Sequence, residues 1–289
     1  MTTKAEQVQA EAYDILPKIQ EFDIVKEFDK VRNFSCVIWG KRRMGKTHIA
    51  KDLLRKIRKW YKEIHVFSTT AYLQPDTFDF IPKQNIHQGF DPEAITEIWT
   101  RQKNYILEEV AKGRKKESLD IVMLLFDDII QDPKVRNCPA YNEIFIAGRH
   151  VNLASITLSQ EFGGKYGIPK VVRANLDLVI SFFPNSEVDR ESIVKQYLST
   201  KNKQVGHIIL REICDEEYQA IVICNFKTTL DLPSYVFRYK AQAKIPKYMI
   251  GDKNQPFTSR EILRFNEDIF GEALGLNVRR EPVQLRRRL

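Results

Sequence analysis

Fourteen residues constrain this chain more than any others: Phe34 to Thr47, FSCVIWGKRRMGKT. An apolar run from Phe34 to Trp39 ends at Gly40. After four intervening residues come Gly45, Lys46 and Thr47, and the following HIAKDLLRKIRKW has helical spacing. Strand, glycine loop and helix in this order form a phosphate-binding loop. The chemistry follows from the residue types. Gly45 lets the backbone approach a ligand closely, and the amide N–H groups at the helix start face phosphate oxygens. Lys46 has the reach for β- and γ-phosphates, and the Thr47 hydroxyl suits a Mg²⁺ ion. The nucleotide-binding candidates are therefore Gly40, Lys41, Arg42, Arg43, Met44, Gly45, Lys46, Thr47 and His48, with ATP and Mg²⁺ as the expected ligands.

A second apolar run, Ile121 to Phe126 (IVMLLF), reads as a central parallel strand of an α/β protein. It ends in Asp127-Asp128. Asp127 is placed to hold the metal opposite Thr47, and Asp128 to orient or deprotonate an attacking water. Taken alone, two acids after a strand are also what an exposed strand end or a helix cap looks like. A third strand, Leu153 to Leu158, ends in Ser159-Gln160. Gln160 is either an ordinary polar terminus or a sensor of the γ-phosphate and its water.

The rest of the chain is read by periodicity. Residues 1–30 carry Val8, Ala12, Ile15 and Ile19 at helical intervals, interrupted at Pro17. This is a helical N-terminal arm that caps the sheet or reaches a neighbouring subunit. Ile64 to Ser68 reads as a strand and residues 70–90 as loop. Asp91-Pro92 opens a helix to about Ala111, with Ile95, Ile98, Trp99, Ile106 and Val110 on its apolar side. The basic stretch Lys112 to Ser118 is a solvated loop or a loop facing DNA. A helix is expected over about 140–148, and a short one from Pro169. A strand follows at Leu178 to Phe183, then a helix from Ser186 to Leu198 with Ser186 and Asp189 as its cap. Two strands are expected within 219–240. The spacing Thr258-Ser-Arg-Glu261 predicts a last helix.

Composition sets the surroundings. The chain has 289 residues, 43% of them hydrophobic, enough for one large domain with appendages. No stretch approaches the roughly 20 apolar residues of a membrane span. The N-terminus lacks an apolar signal region, so a cytosol-like compartment is expected. Four widely spaced cysteines and five histidines show no ligand spacing, which argues for reduced thiols and against zinc. The net charge of +8 points to a polyanion partner. Half of it lies in the last thirteen residues, NVRREPVQLRRRL, with five arginines and one glutamate. That tail is either a solvated end or a contact with nucleic acid or a partner.

In order and spacing, Gly40 to Thr47, LLFDDI (Leu124 to Ile129), GRHVNLASITLSQ (Gly148 to Gln160) and IPKVVRANLDLVISF (Ile168 to Phe182) resemble the viral genome-packaging ATPases of poxvirus type. These belong to the FtsK/HerA superfamily of DNA-pumping P-loop motors. The resemblance spans about residues 34–185. It implies a RecA-like ASCE fold of α/β class, with a mostly parallel sheet flanked by helices and an extra strand between those bearing the two nucleotide motifs. The implied division is an arm over 1–30, the ATPase domain over 31–240 and a C-terminal extension with a basic tail over 241–289.

The resemblance further implies a pentameric or hexameric ring of identical chains that threads double-stranded DNA into a capsid. Contacts to DNA would be to the backbone, and a capsid-vertex or portal-like component would be a further partner. The site would be the host cytoplasm or viral factory, with transient residence on the capsid. By position, Lys46 and Thr47 bind ATP and Mg²⁺, Asp127 completes the metal site and Gln160 is the sensor. Asp128 stands where the superfamily usually has glutamate. Ring motors also need a cation from the next subunit, and Arg149 and Arg173 are the candidates. Two other readings remain open at this level: a cellular or plasmid translocase or helicase of the same superfamily, and an ATP-binding scaffold or switch that is not a motor.

Overall fold

The computed structural model describes residues 3–130, 132–163 and 167–251. The basic tail and the helix expected from Thr258 lie outside the described residues. The chain opens with α1 (Lys4–Ile15) and α2 (Ile24–Phe28), then β1 (Ser35–Trp39), α3 (Lys46–Ile57), β2 (Tyr61–Ser68), β3 (Ile86–Gln88) and α4 (Pro92–Ala111). It continues with β4 (Ile121–Asp127), α5 (Pro133–Arg136), α6 (Pro139–Ala147), β5 (Leu153–Ser159), α7 (Lys170–Ala174) and β6 (Leu178–Ser181). Last come α8 (Glu187–Tyr197), α9 (Lys203–Ile213), β7 (Gln219–Cys224) and β8 (Val236–Lys240).

The strands form one sheet in the order β3-β2-β4-β5-β1-β6-β7-β8. From β3 to β6 every pair is parallel, and β7 is antiparallel to both its neighbours. β1, β4, β5 and β6 are buried along their whole length, which is why they read as unbroken apolar runs. β5 lies between β1 and β4, the strands that carry the phosphate loop and the paired acids. This insertion is the one the ASCE arrangement requires.

Local chemistry explains the element boundaries. Asp91 caps α4 by accepting from the Glu93 and Ala94 amides at 3.1 and 2.9 Å, and Pro92 fits a first turn that needs no donor. Ile95, Ile98, Gln102 and Ile106 form the buried side of α4, whereas Val110, expected there, is exposed in the last turn. Ser186 makes no side-chain cap to α8. Asp189, in the first turn, is half-buried, and burial followed by the charge of Glu161 pushes its carboxyl up.

Two elements differ from the sequence reading: β3 falls in the stretch 70–90 that reads as loop, and α9 in a stretch given no element. β3 has only three residues, too short to show alternation. α9 carries Gly206 mid-helix, a residue that weakens a helical pattern. The glycine is there for packing: a Cβ on it would meet Val194 Cγ1 of α8 at 2.7 Å.

The N-terminal segment joins the same core. Val8 and Ala12 of α1 are buried, with α1 packed on α9. The Phe22 amide bonds the Arg238 carbonyl at 2.9 Å, and the Arg238 amide bonds the Gln20 carbonyl at 3.0 Å. The arm thereby satisfies the outer edge of β8, which would otherwise be an open template for another strand. Cys36 and Cys224 are buried, Cys138 and Cys214 are half-buried, and all four are free thiols. No helix among the described residues is long and apolar enough to cross a membrane.

Candidate nucleotide-binding site

The site lies at the carboxyl ends of β1, β2, β4 and β5, where α/β sheets gather ligands. Gly45 has φ +96°, a left-handed conformation that caps the start of α3 and that a side chain would strain. Gly40 is required for a different reason: a Cβ there would meet Phe182 Cδ2 at 2.7 Å. The Gly40 amide bonds the Ser159 carbonyl at 3.1 Å, which ties the loop to the end of β5.

Arg42, Arg43, Lys46, Thr47, Thr70, Gln74, Asp127 and Asp128 line one open cleft of about 670 Å³. Lys46 is buried, and its ammonium donates to the Gly40 and Lys41 carbonyls at 2.8 and 3.2 Å. Burial pulls its pKa down from the usual lysine range, while Asp128 and Asp127 pull it back up. Burial, together with the charge of Asp128, pushes the Asp127 carboxyl up to about 6. The Ser68 hydroxyl donates to Asp127 Oδ2 at 3.0 Å and opposes that shift. Asp128 is itself left-handed at φ +51°. Gln160 Nε2 donates to its Oδ2 at 2.8 Å, so the sensor candidate and the base candidate are joined directly.

Other loop residues have distinct settings. Lys41, Arg42 and Arg43 are exposed, and of these Arg42 and Arg43 line the cleft. Met44 packs against the hydrophobic core, and a His48 ring nitrogen meets the Gln242 carbonyl at 2.7 Å. The Thr47 hydroxyl and the Asp127 carboxylate are hard oxygen donors on one cleft. That donor set suits Mg²⁺, which takes one or two carboxylates beside phosphate oxygens and water.

The two arginines lie elsewhere. Arg149 is exposed in the turn before β5, at the opposite end of that strand from Gln160. Seven residues of extended chain separate the two ends by about 20 Å. It shares a cleft of about 620 Å³ with Lys30, Arg32, Lys116 and His150, flanked by Asp29 and Glu117. Arg173 packs inside its own chain, its guanidinium 5.6 Å from the Phe162 ring centre. Arg173 Nε is buried and finds no hydrogen-bond partner among the described residues. The basic stretch after α4 also has internal partners. Lys112 and Arg114 pair with Glu109 at 2.8 and 2.6 Å, and Lys116 donates to the Arg149 carbonyl at 3.0 Å.

Ser68, Thr70 and Gln74 are additions that sequence reasoning missed. Only Ser68 carried a signal, closing a strand with a polar residue as Asp127 does; Thr70 and Gln74 lie in the loop after β2 and carried none.

Solved structures resemble this one in fold. The genome packaging NTPase B204 of Sulfolobus turreted icosahedral virus 2, in complex with AMPPCP, superposes with a TM-score of 0.49 at 17% identity, covering 73% of this chain and 99% of that one. The cytoplasmic domain of the Thermomonospora curvata type VII secretion ATPase EccC gives 0.50 at 9% identity, covering 75% of this chain and 26% of that one. An uncharacterized protein, 088R of Invertebrate iridescent virus 3, is 27% identical over 206 residues, 71% of this chain and 74% of that protein. The Poxvirus A32 protein family matches residues 21–228, which takes in every strand from β1 to β7 and the whole cleft. The chain is a P-loop ATPase of RecA-like α/β fold and belongs to the family of the poxvirus A32 protein.

Proposed function

We propose that the chain is an ATP-hydrolysing motor that drives double-stranded DNA into a viral capsid as a ring of identical subunits. One observation carries this reading: Lys46, Thr47, Asp127 and Asp128 line one cleft, Gln160 is bonded to Asp128, and Arg149 is exposed at the far end of the strand that bears Gln160. A finger supplied to a neighbour has to be absent from its own cleft and exposed on the surface. Arg149 meets both conditions, whereas Arg173 is packed against Phe162.

In this reading the loop amides and Lys46 hold the triphosphate, and Thr47 and Asp127 would hold Mg²⁺, which when bound would neutralise charge on the phosphates. Asp128 takes the proton of the attacking water while Gln160 fixes its orientation. Arg149 of the next subunit meets the charge that develops on the γ-phosphate. DNA contacts are to phosphates, since a packaging motor must tolerate any sequence. A capsid-vertex or portal-like component is the further partner, and the host cytoplasm or viral factory the place of action.

The test is turnover by the full chain. ATP hydrolysis with Mg²⁺ should rise with double-stranded DNA and vanish in Lys46→Ala. Mixing Lys46→Ala with Arg149→Ala subunits should restore part of the activity. A wild type that assembles and binds ATP but never turns it over with DNA present would sink the motor reading.

A further inference from the structure

Tyr218, immediately before β7, is the one aromatic residue with a left-handed backbone among the described residues, at φ +63°. That conformation is costly for a bulky side chain and persists where the surroundings enforce it, which is often at ligand sites. The residue is nonetheless 51% exposed, so burial is not what repays the strain. Its position is defined by the phosphate loop. A Cβ on Gly45 would lie 3.6 Å from Tyr218 Cδ1 and 3.7 Å from Phe182 Cζ.

The sheet order gives that position a meaning. β5 and β4 lie on one side of β1, and β6, β7 and β8 on the other. Asp127, Asp128 and Gln160 mark the β4–β5 side as the place of the terminal phosphate. A nucleotide whose phosphates follow Gly40 to Thr47 therefore leads its nucleoside end across β1 toward β6 and β7, where Tyr218 stands. A second wall exists there: the bond between His48 and the Gln242 carbonyl holds the chain after β8 beside the first turn of α3. We propose that Tyr218 is the stacking platform for the base of the bound nucleoside triphosphate. This rests on the reading that the loop binds ATP. An aromatic face accepts any base, so the platform adds affinity without choosing among bases.

The experiment compares two probes on the full chain by calorimetry: a non-hydrolysable ATP analogue and inorganic tripolyphosphate, which has no base. Tyr218→Ala should weaken the analogue about ten- to a hundredfold, the size of one base–aromatic stack, and leave tripolyphosphate unchanged. Tyr218→Phe should stay within about twofold of wild type, since the ring is retained. Tyr218→Asn keeps a residue that tolerates the left-handed backbone and should match the alanine variant, so the loss is not one of folding. The GTP analogue should weaken as the ATP analogue does. Equal losses for analogue and tripolyphosphate would make Tyr218 a support of the loop and overturn the proposal, as would unchanged analogue binding in Tyr218→Ala. If wild type binds neither probe, or Lys46→Ala binds tripolyphosphate as wild type does, the ATP reading itself fails.

Discussion

The side-chain amide of Asn33 donates to the backbone carbonyl of Arg149 at 2.9 Å, joining the segment before β1 to the turn before β5. Lys116 donates to the same carbonyl, and Asn152, left-handed and buried, bonds the Lys116 carbonyl at 3.0 Å. The turn that presents Arg149 is thus tied to two other segments of the chain, one before β1 and one after α4. Asn33→Ala should lower kcat about two- to tenfold, the worth of one such bond, with KM for ATP unchanged. In the Arg149→Ala background the same change should cost nothing further, because the group it positions is gone. Steady-state rates of the two single variants and the double variant decide this; additive losses would show that Asn33 acts elsewhere.

Ser68 bears on the proposed Mg²⁺ site through Asp127, whose Oδ2 accepts its hydroxyl. Removing a partner that orients a metal-binding carboxylate typically weakens the metal about 10- to 100-fold. Ser68→Ala should therefore raise the Mg²⁺ concentration needed for half-maximal ATPase activity by about that factor. The maximal rate at saturating Mg²⁺ should fall much less. A Mg²⁺ titration at fixed ATP reads both.

Gly40 and Phe182 form a steric pair at the base of the loop. Gly40→Ala places a methyl group against the Phe182 ring and should destabilise the fold by about 1–3 kcal/mol, in the range of other overpacked sites. Phe182→Leu in the same chain should recover a large part of that loss. Thermal unfolding of the four combinations checks it. No recovery would mean that Gly40 is needed for its backbone and not for the space it leaves.

His87 on β3 stacks on Phe67 and meets His65 through a 3.1 Å contact between ring nitrogens. Burial, with His65 beside it, lowers its pKa from 6.5 to about 4, against an opposing pull from Asp91. The sign follows by linkage. Between pH 6.5 and about 4 the unfolded chain binds a proton at this residue that the folded chain refuses. Stability should therefore fall as pH falls through that window, and this contribution should level off below it. Urea midpoints across the range should show a shallower slope in His87→Phe, which keeps the stack and removes the titration.

The parts of the site legible in the sequence are those written in one contiguous stretch. Gly40 to Thr47 announces itself because strand, loop and helix are successive. Asp127, Asp128 and Gln160 are visible because each follows an apolar run that can only be a buried strand. The Gln160–Asp128 bond was out of reach, since it depends on β5 lying next to β4, which no local pattern encodes. The clamp on Arg149 was hidden for the same reason: Asn33, Lys116 and Asn152 come from three segments and are ordinary polar residues in each. Tyr218 looked like one more tyrosine in a polar stretch. Its backbone conformation and its place beside Gly45 exist only once β7 has paired with β6.

β5 is a buried seven-residue strand hydrogen-bonded to β4 along one edge and to β1 along the other. Pairing on both edges in the middle of the sheet makes it one of the stiffest elements of the fold. Gln160, bonded to Asp128, follows the last residue of β5 and the exposed Arg149 turn precedes its first, so one stiff strand connects the two.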